Sequence, residues 1–323
     1  MSKNLWVVGD STLSSFEDKY YLPRYGYGTK LQEYLDDEII VKNIALSGRS
    51  SKSYTTEPEY QTLLSGMKKD DYLIIGFGHN DEKTENDRYT QGEGDYLTQG
   101  TFAFSLYNNY IKKAHEAGCT PILCTPIVRR SPDGKWNGQM LHVTAPVGEY
   151  KGGDYPKAIR DLARQLNIAL VDMTMMTKEM YDRLGADETL YLHAWPSDKA
   201  ISVDNTHTNV WGARVNAYLC LSEIKNIGVE GLSNHITGLE NDAPMLQRKS
   251  ILNHLKLINL LFLIQILVTV KYGKNQEYGN HQYLEILWIC RQKTHLRWKL
   301  FLITVSILQS VEMWEKYQLY LMV

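Results

Sequence analysis

Ser11 comes directly after an apolar run, in Val7-Val8-Gly9-Asp10-Ser11-Thr12. Such a run reads as a strand, and a serine at the carboxyl end of a strand stands where open α/β sheets bind ligands. A serine hydroxyl is a poor nucleophile until a base takes its proton. The chain supplies a base: in Asp204-Asn205-Thr206-His207 a carboxylate and an imidazole lie three residues apart. Two further apolar runs close in small or amide residues, at Asn43-Ile44-Ala45-Leu46-Ser47-Gly48 and at Ile75-Gly76-Phe77-Gly78-His79-Asn80-Asp81. Both are candidates to supply an oxyanion site.

Each of these residues has a plainer use. A serine after a strand can cap the next helix. Asn80 can close a turn through its own backbone, and Gly48 can serve a turn that needs positive φ. His207 can be a surface group, and Asp204 a cap. What separates the chemical reading from the plain one is the set: four candidates in this order, each at the end of its own strand or in the last loop.

Those residues need a sheet to position them. Short apolar runs alternate with helical patterns through residue 225, the rhythm of βαβ units and a parallel sheet. Strands are expected at residues 5–9, 39–44, 72–77, 121–125 and 169–172, with 72–77 central because it is apolar throughout. Helices are expected at 27–35, 101–116 (closed by Gly118), 155–166, 175–184 and 210–225. The fold class is therefore α/β, a three-layer αβα sandwich on a five-stranded parallel sheet of flavodoxin-like type. Two long connections, 81–100 and 129–154, follow strand ends, and loops of this length in a compact domain are often functional. They carry Tyr89, Tyr96, Arg129, Arg130, Trp136 and His142. Arg129 and Arg130 are candidates for gripping a substrate carboxylate, since a guanidinium does so through two parallel hydrogen bonds.

The blocks Gly9-Asp10-Ser11-Thr12, Gly48, Gly78-His79-Asn80-Asp81 and Asp204-x-x-His207 resemble the four signature blocks of the SGNH, or GDSL, hydrolases. Within them, Phe77-Gly78-His79-Asn80-Asp81, Thr125-Pro126-Ile127-Val128-Arg129-Arg130, Gly153-Asp154-Tyr155-Pro156 and Asp204-Asn205-Thr206-His207-Thr208 resemble the rhamnogalacturonan acetylesterase branch. The resemblance covers roughly residues 4–228. It implies Ser11 as nucleophile, His207 as base, Asp204 as the group that orients the imidazole, and an oxyanion hole of Ser11 N–H, Gly48 N–H and the Asn80 amide. It implies an esterase that takes O-acetyl groups from carbohydrate, with a small acetylated oligosaccharide as substrate. A lysophospholipase or general acyl hydrolase is the nearest rival, although the charged, Tyr- and Trp-bearing loops suit a sugar better than an apolar tail. A non-catalytic carbohydrate-binding protein on the same fold is the rival from another class, and the intact set of four argues against it. Ser11 lies outside any Gly-x-Ser-x-Gly sequence, so an α/β-hydrolase elbow is not expected.

Composition narrows the rest. With 35 basic and 37 acidic residues and a formal charge of −2, the chain gives no hint of nucleic-acid binding, which would favour a basic patch. Cys119, Cys124, Cys220 and Cys290 form no Cys-x-x-Cys pair, and no His-Glu-x-x-His spacing occurs. Neither metal nor cofactor is expected. Met1-Ser2-Lys3-Asn4 leads straight into the first strand without a charged-then-apolar leader, so a cytoplasmic location is expected.

Character changes after Asp242. Residues 243–323 hold ten basic and four acidic residues, one alanine, one proline and no aspartate, whereas residues 1–242 hold 25 basic and 33 acidic. The apolar stretch at 257–270 falls short of the roughly twenty residues that span a bilayer, and Lys256 and Lys271 bracket it. The chain is therefore divided into an esterase domain at 1–242 and an anomalous tail at 243–323. For the tail, a buried extension and a membrane-associated helix compete with a shifted reading frame and poor order. The abrupt compositional break, without clear caps or turns, favours the last.

Overall fold

A computed structural model describes residues 2–20, 22–196, 202–242, 283–291 and 298–306. The chain divides into two units, Met1–Leu252 and Asn253–Val323.

The first unit is built on five strands: β1 (Lys3–Gly9), β2 (Ile39–Asn43), β3 (Tyr72–Gly76), β4 (Thr120–Cys124) and, after the short antiparallel ladder of β5 (Val143–Thr144) and β6 (Gly153–Asp154), β7 (Ala169–Val171). They order β2-β1-β3-β4-β7, and every pair is parallel. With β7 as the fifth strand of the sheet this is the flavodoxin-like 2-1-3-4-5 order, whose ligands lie at the carboxyl ends of the strands, where the order reverses. That reversal falls between β1 and β3, the strands that lead to Ser11 and Asn80.

The strands are apolar on both faces because helices cover both. Alternate residues of a strand point to opposite sides. Trp6, Val8, Leu73, Ile75 and Leu123 pack with Tyr60 and Leu63 of α1 (Pro58–Gly66). The same cluster takes Phe102 and Leu106 of α2 (Phe102–Leu106), Ala114 of α3 (Lys112–Ala117), and Ile159 and Leu162 of α4 (Tyr155–Leu166). On the opposite face α5 (Met173–Leu184) precedes α6 (Ala186–Thr189), and the long α7 (Val210–Ile227) packs on β7 and on a 3₁₀ helix, Tyr27–Tyr34. A short α8 (Leu239–Asp242) follows. A buried side chain such as Leu5, Val7 or Ile74, each fully buried, contributes about 1.5–3 kcal/mol by leaving water.

The expected helices differ in three places. Residues 27–34 wind as 3₁₀ rather than α. The helix expected at 101–116 begins at Phe102 on a Thr101 side-chain cap. It passes through a π turn at Tyr107–Ile111 and stops at Gly118, whose φ is +74°. The helix Pro58–Gly66 was not expected, since its nine residues carry little apolar periodicity.

In the second unit, β8 (Tyr283–Arg291) and β9 (Trp298–Ser306) pair antiparallel. The apolar stretch at 257–270 lies outside the described residues, as does most of what was expected of the tail. Among the described residues no helix is long and apolar enough to cross a membrane.

A chain ended at Asp242 is expected to fold and to keep the parental rate on p-nitrophenyl acetate. All site candidates precede residue 208, α7 already covers the sheet, and about 240 residues suffice to bury most of the apolar surface. Thermal melts and turnover of the shortened chain check this. Aggregation or lost turnover would make the tail part of the working structure.

Candidate active site

β1 ends at Gly9, and the chain turns at once: Leu13 N–H and Ser14 N–H both donate to Asp10 O, at 3.1 and 3.2 Å. The turn is tight against β3. A Cβ on Gly9 would lie 2.4 Å from Gly76 O, so only glycine lets the strand come this close. Asp10 is buried beneath the turn, where its carboxylate accepts from Thr12 N–H (2.9 Å), Thr12 Oγ1 (2.8 Å) and His79 N–H (3.3 Å). One carboxylate thus ties the β1 turn to the β3 loop. Burial alone would raise its pKa, but the His79 charge and these hydrogen bonds outweigh that and lower it.

Ser11 Oγ lies 2.9 Å from His207 Nε2, and His207 Nδ1 lies 2.6 Å from Asp204 Oδ2. Asp204 Oδ1 accepts from the backbone N–H groups of Thr206 and His207, at 2.8 and 3.0 Å. Burial works against the Asp204 charge, but the His207 hydrogen bond and charge and the two backbone donors bring its pKa down to about 2. An ionised Asp204 accepts from Nδ1–H. Nε2 is then left to accept from the serine hydroxyl, the arrangement of a serine triad.

The loop that carries this pair is anchored at both ends. Asn209 caps α7, accepting from Trp211 and Gly212 N–H, and its own amide donates to Tyr191 O (2.8 Å) and His193 O (3.0 Å). Thr208 Oγ1 donates to Tyr25 O at 2.8 Å, and Ala194 N–H donates to His207 O at 2.9 Å. The buried His193 holds Asp204 from behind: Nδ1 donates to Asp204 O (2.8 Å), while Nε2 accepts from Tyr181 Oη (2.7 Å). Burial pushes the His193 pKa down to about 4, so at neutral pH it is an uncharged donor. Phe16 meets the His207 ring edge to face, centroids 6.1 Å apart, and the Arg24 guanidinium lies over Phe16 at 4.3 Å.

Gly48 follows β2 and Asn80 follows β3, the two neighbours of β1, so three loops converge at one end of the sheet. Gly48 has φ +77° and open space where a Cβ would be. The backbone N–H groups of Ser11 and Gly48 donate to no acceptor among the described residues. Asn80 is held at both ends of its amide: Nδ2 donates to Arg49 O (3.1 Å) and Oδ1 accepts from Arg88 Nη1 (3.1 Å). One N–H of the amide remains to donate. The β2 and β3 loops are joined by buried Asp81, which accepts from Ser51 N–H, Ser51 Oγ (2.5 Å) and Thr90 Oγ1 (2.9 Å). The chemistry open to this arrangement is acyl transfer to serine, with three donors available to a developing oxyanion.

Residues 7–234 match the GDSL-like lipase/acylhydrolase family. The chain belongs to this family. It is 28% identical over 246 residues to rhamnogalacturonan acetylesterase RhgT of Bacillus subtilis (strain 168), covering 73% of this chain and 95% of that one. It is 30% identical over 234 residues to the probable rhamnogalacturonan acetylesterase YesY of the same strain, covering 71% and 95%. Among solved structures, the YxiM protein of Bacillus subtilis superposes with a TM-score of 0.55 at 22% identity, over 72% of this chain and 58% of that one, which shows the shared fold. The chain is thus a GDSL carboxylic ester hydrolase.

In this GDSL hydrolase the two arginines expected to meet substrate are both buried and bonded to protein groups. Arg129 is buried, pairs with Glu82, and donates from Nη1 to Gln139 O (2.7 Å) beside His142 Nδ1 (3.2 Å). Arg130, also buried, donates to Thr189 Oγ1 (3.1 Å), Asn205 Oδ1 (3.0 Å) and Ala186 O (2.7 Å), and its N–H donates to Asn205 O (2.8 Å). Both guanidinium groups thus donate to protein acceptors. Arg130 braces the residue between Asp204 and Thr206, and Arg129 neutralises a buried glutamate. Arg129→Ala is therefore expected to cost stability, about 3 kcal/mol, by leaving Glu82 buried without its cation. For a domain of this size that lowers Tm by roughly 6–12 °C, which a thermal melt reads. A Tm within a degree of the parent would contradict it.

Two supports escaped the sequence reading. Arg88 and Asp81 act on the site through Asn80 and Ser51, contacts made across 8 and 30 residues of chain. Asp81 stands beside Asn80 in a recognised block and was the more accessible of the two. The two long loops, which follow β3 and β4, touch each other. Tyr89 and Tyr150 meet edge to face at 4.8 Å, and Tyr150 Oη donates to Asn86 Oδ1 at 2.9 Å.

Proposed function

We propose that the protein removes O-acetyl groups from carbohydrate, and that its substrates are acetylated pectic oligosaccharides of the rhamnogalacturonan type. The observation that carries the reading is the hydrogen-bonded chain Ser11–His207–Asp204 beside two backbone N–H groups, of Ser11 and Gly48, that donate to no acceptor among the described residues. The substrate class is supported by the two Bacillus relatives, over 95% of whose length the chain aligns. It is supported also by loops that offer hydroxyls, charges and aromatic edges rather than an apolar trough for a fatty acyl tail.

The geometry supports the following steps. Ser11 Oγ attacks the acetyl carbonyl as its proton passes to His207 Nε2, and the carbonyl π pair moves onto oxygen. That oxyanion is met by Ser11 N–H, Gly48 N–H and the free Asn80 N–H. Asp204 fixes the tautomer and stabilises the imidazolium. Collapse breaks the bond to the sugar oxygen, which takes the proton from His207 and leaves as alcohol. Water then attacks the acetyl-serine by the same route, giving acetate and free Ser11.

Mass spectrometry of products from acetylated pectin fragments and from acetylated xylan fragments tests the substrate. The pectic fragments are expected to lose acetyl groups at least about tenfold faster at equal concentration, a difference of about 1.4 kcal/mol in transition-state binding. Equal rates, or a preference for xylan, would remove the pectic reading and leave a general acetylesterase.

A further inference from the structure

A cavity of about 500 Å³ opens beside the oxyanion donors. That size lies within the range of sites for small molecules, about 300–1,000 Å³. It forms between the loop after β2 and the long loop after β3. Two of its residues tie it to the candidate oxyanion site. Gly48 lines it, and so does Arg88, the residue that holds the Asn80 amide.

The lining is charged. Arg49, Lys52 and Arg88 face Glu57 and Asp87, three cations against two carboxylates. The three cations are not equivalent. Arg88 is spent on Glu85 and Asn80. Arg49 pairs with Glu57 through Nε alone, and its two terminal amino groups donate to nothing among the described residues. Its side chain is 40% exposed. Among the described residues Lys52 Nζ donates to a neutral carbonyl, Asn86 O, at 2.5 Å and makes no ion pair, with Asp87 the carboxylate of the lining left unpaired. A planar guanidinium edge and an ammonium outside any ion pair, in a cavity of sugar size, are groups that can hold a carboxylate.

We propose that this cavity is the subsite for the sugar next to the acetylated one, that this sugar is a uronate, and that Arg49 and Lys52 bind its carboxylate. The proposal rests on the carbohydrate acetylesterase reading for its link to turnover. It reassigns to the β2 loop the carboxylate recognition first expected of Arg129 and Arg130. Substrates with a free uronate next to the acetylated residue bind more tightly than the same substrates with the carboxyl group reduced to an alcohol.

The test is read by binding, without turnover. Protein carrying Ser11→Ala is titrated calorimetrically with an acetylated uronate-containing oligosaccharide, and with the same oligosaccharide after carboxyl reduction. The uronate form is expected to bind about 10–100-fold more tightly, as fits a charge-assisted hydrogen-bonded contact. Adding Arg49→Gln and Lys52→Gln is expected to bring the two affinities within about threefold of each other. Equal affinities before those substitutions, or a preference that survives them, would overturn the proposal. p-Nitrophenyl acetate turnover by protein with Ser11 intact reads the esterase reading separately. Its failure, beside an intact uronate preference, would remove the reaction and leave the subsite.

Discussion

Ser11→Ala is expected to reduce acetate release from p-nitrophenyl acetate by on the order of 10⁴-fold or more, with the thermal melt close to the parental one. The size follows from the unit that is broken. Removing the nucleophile of a serine triad costs nearly as much as removing the whole triad, and what is left comes from the oxyanion site and binding. The fold is spared because Ser11 Oγ makes its hydrogen bond to His207, whose own loop is held by Asp204, Asn209, Thr208 and His193. Steady-state rates and a melt on the same preparation check both halves. Turnover within a few-fold of the parent would take the reaction away from Ser11.

Asn80→Ala is expected to lower kcat by about 10²–10³-fold and to change KM little. The amide is aimed: Arg88 grips its oxygen and Arg49 O takes one of its N–H groups, so the remaining N–H has a fixed direction. Such a donor meets charge that exists mainly in the transition state, and its loss falls on the chemical step rather than on binding. Initial rates over a range of substrate concentration separate the two. A change confined to KM would make Asn80 a contact to the ground-state substrate.

The residues that meet at the strand ends were legible in the sequence because each is announced locally. Ser11, Gly48 and Asn80 each close an apolar run, and Asp204 and His207 share one short loop. The parallel sheet could be read for a similar reason, since short apolar runs alternating with helical patterns argue for βαβ units. What could not be read is what depends on partners distant in sequence. Arg129 and Arg130 looked like surface cations after a strand. Their meaning was set by Glu82, 47 residues earlier, and Asn205, 75 residues later. The 3₁₀ winding of Tyr27–Tyr34 likewise depends on long-range contacts. Gly26 N–H donates to Ser14 O (3.0 Å) and Tyr27 N–H to Thr12 O (2.8 Å), so the start of that segment is fixed by the turn that carries Ser11. The cavity beside Gly48 is invisible for the same reason, being made of residues 48–57 and 87–88 of two loops that the β2-β1-β3 order brings together.

The central claim is that Ser11 carries the acyl group, and covalent labelling tests it most directly. The full chain is treated with a fluorophosphonate, digested and mapped by peptide mass. The adduct is expected on Ser11 alone, and Asp204→Asn should slow its formation by weakening the base. Failure to label, or an adduct on another residue with Ser11 unmodified, would contradict the mechanism.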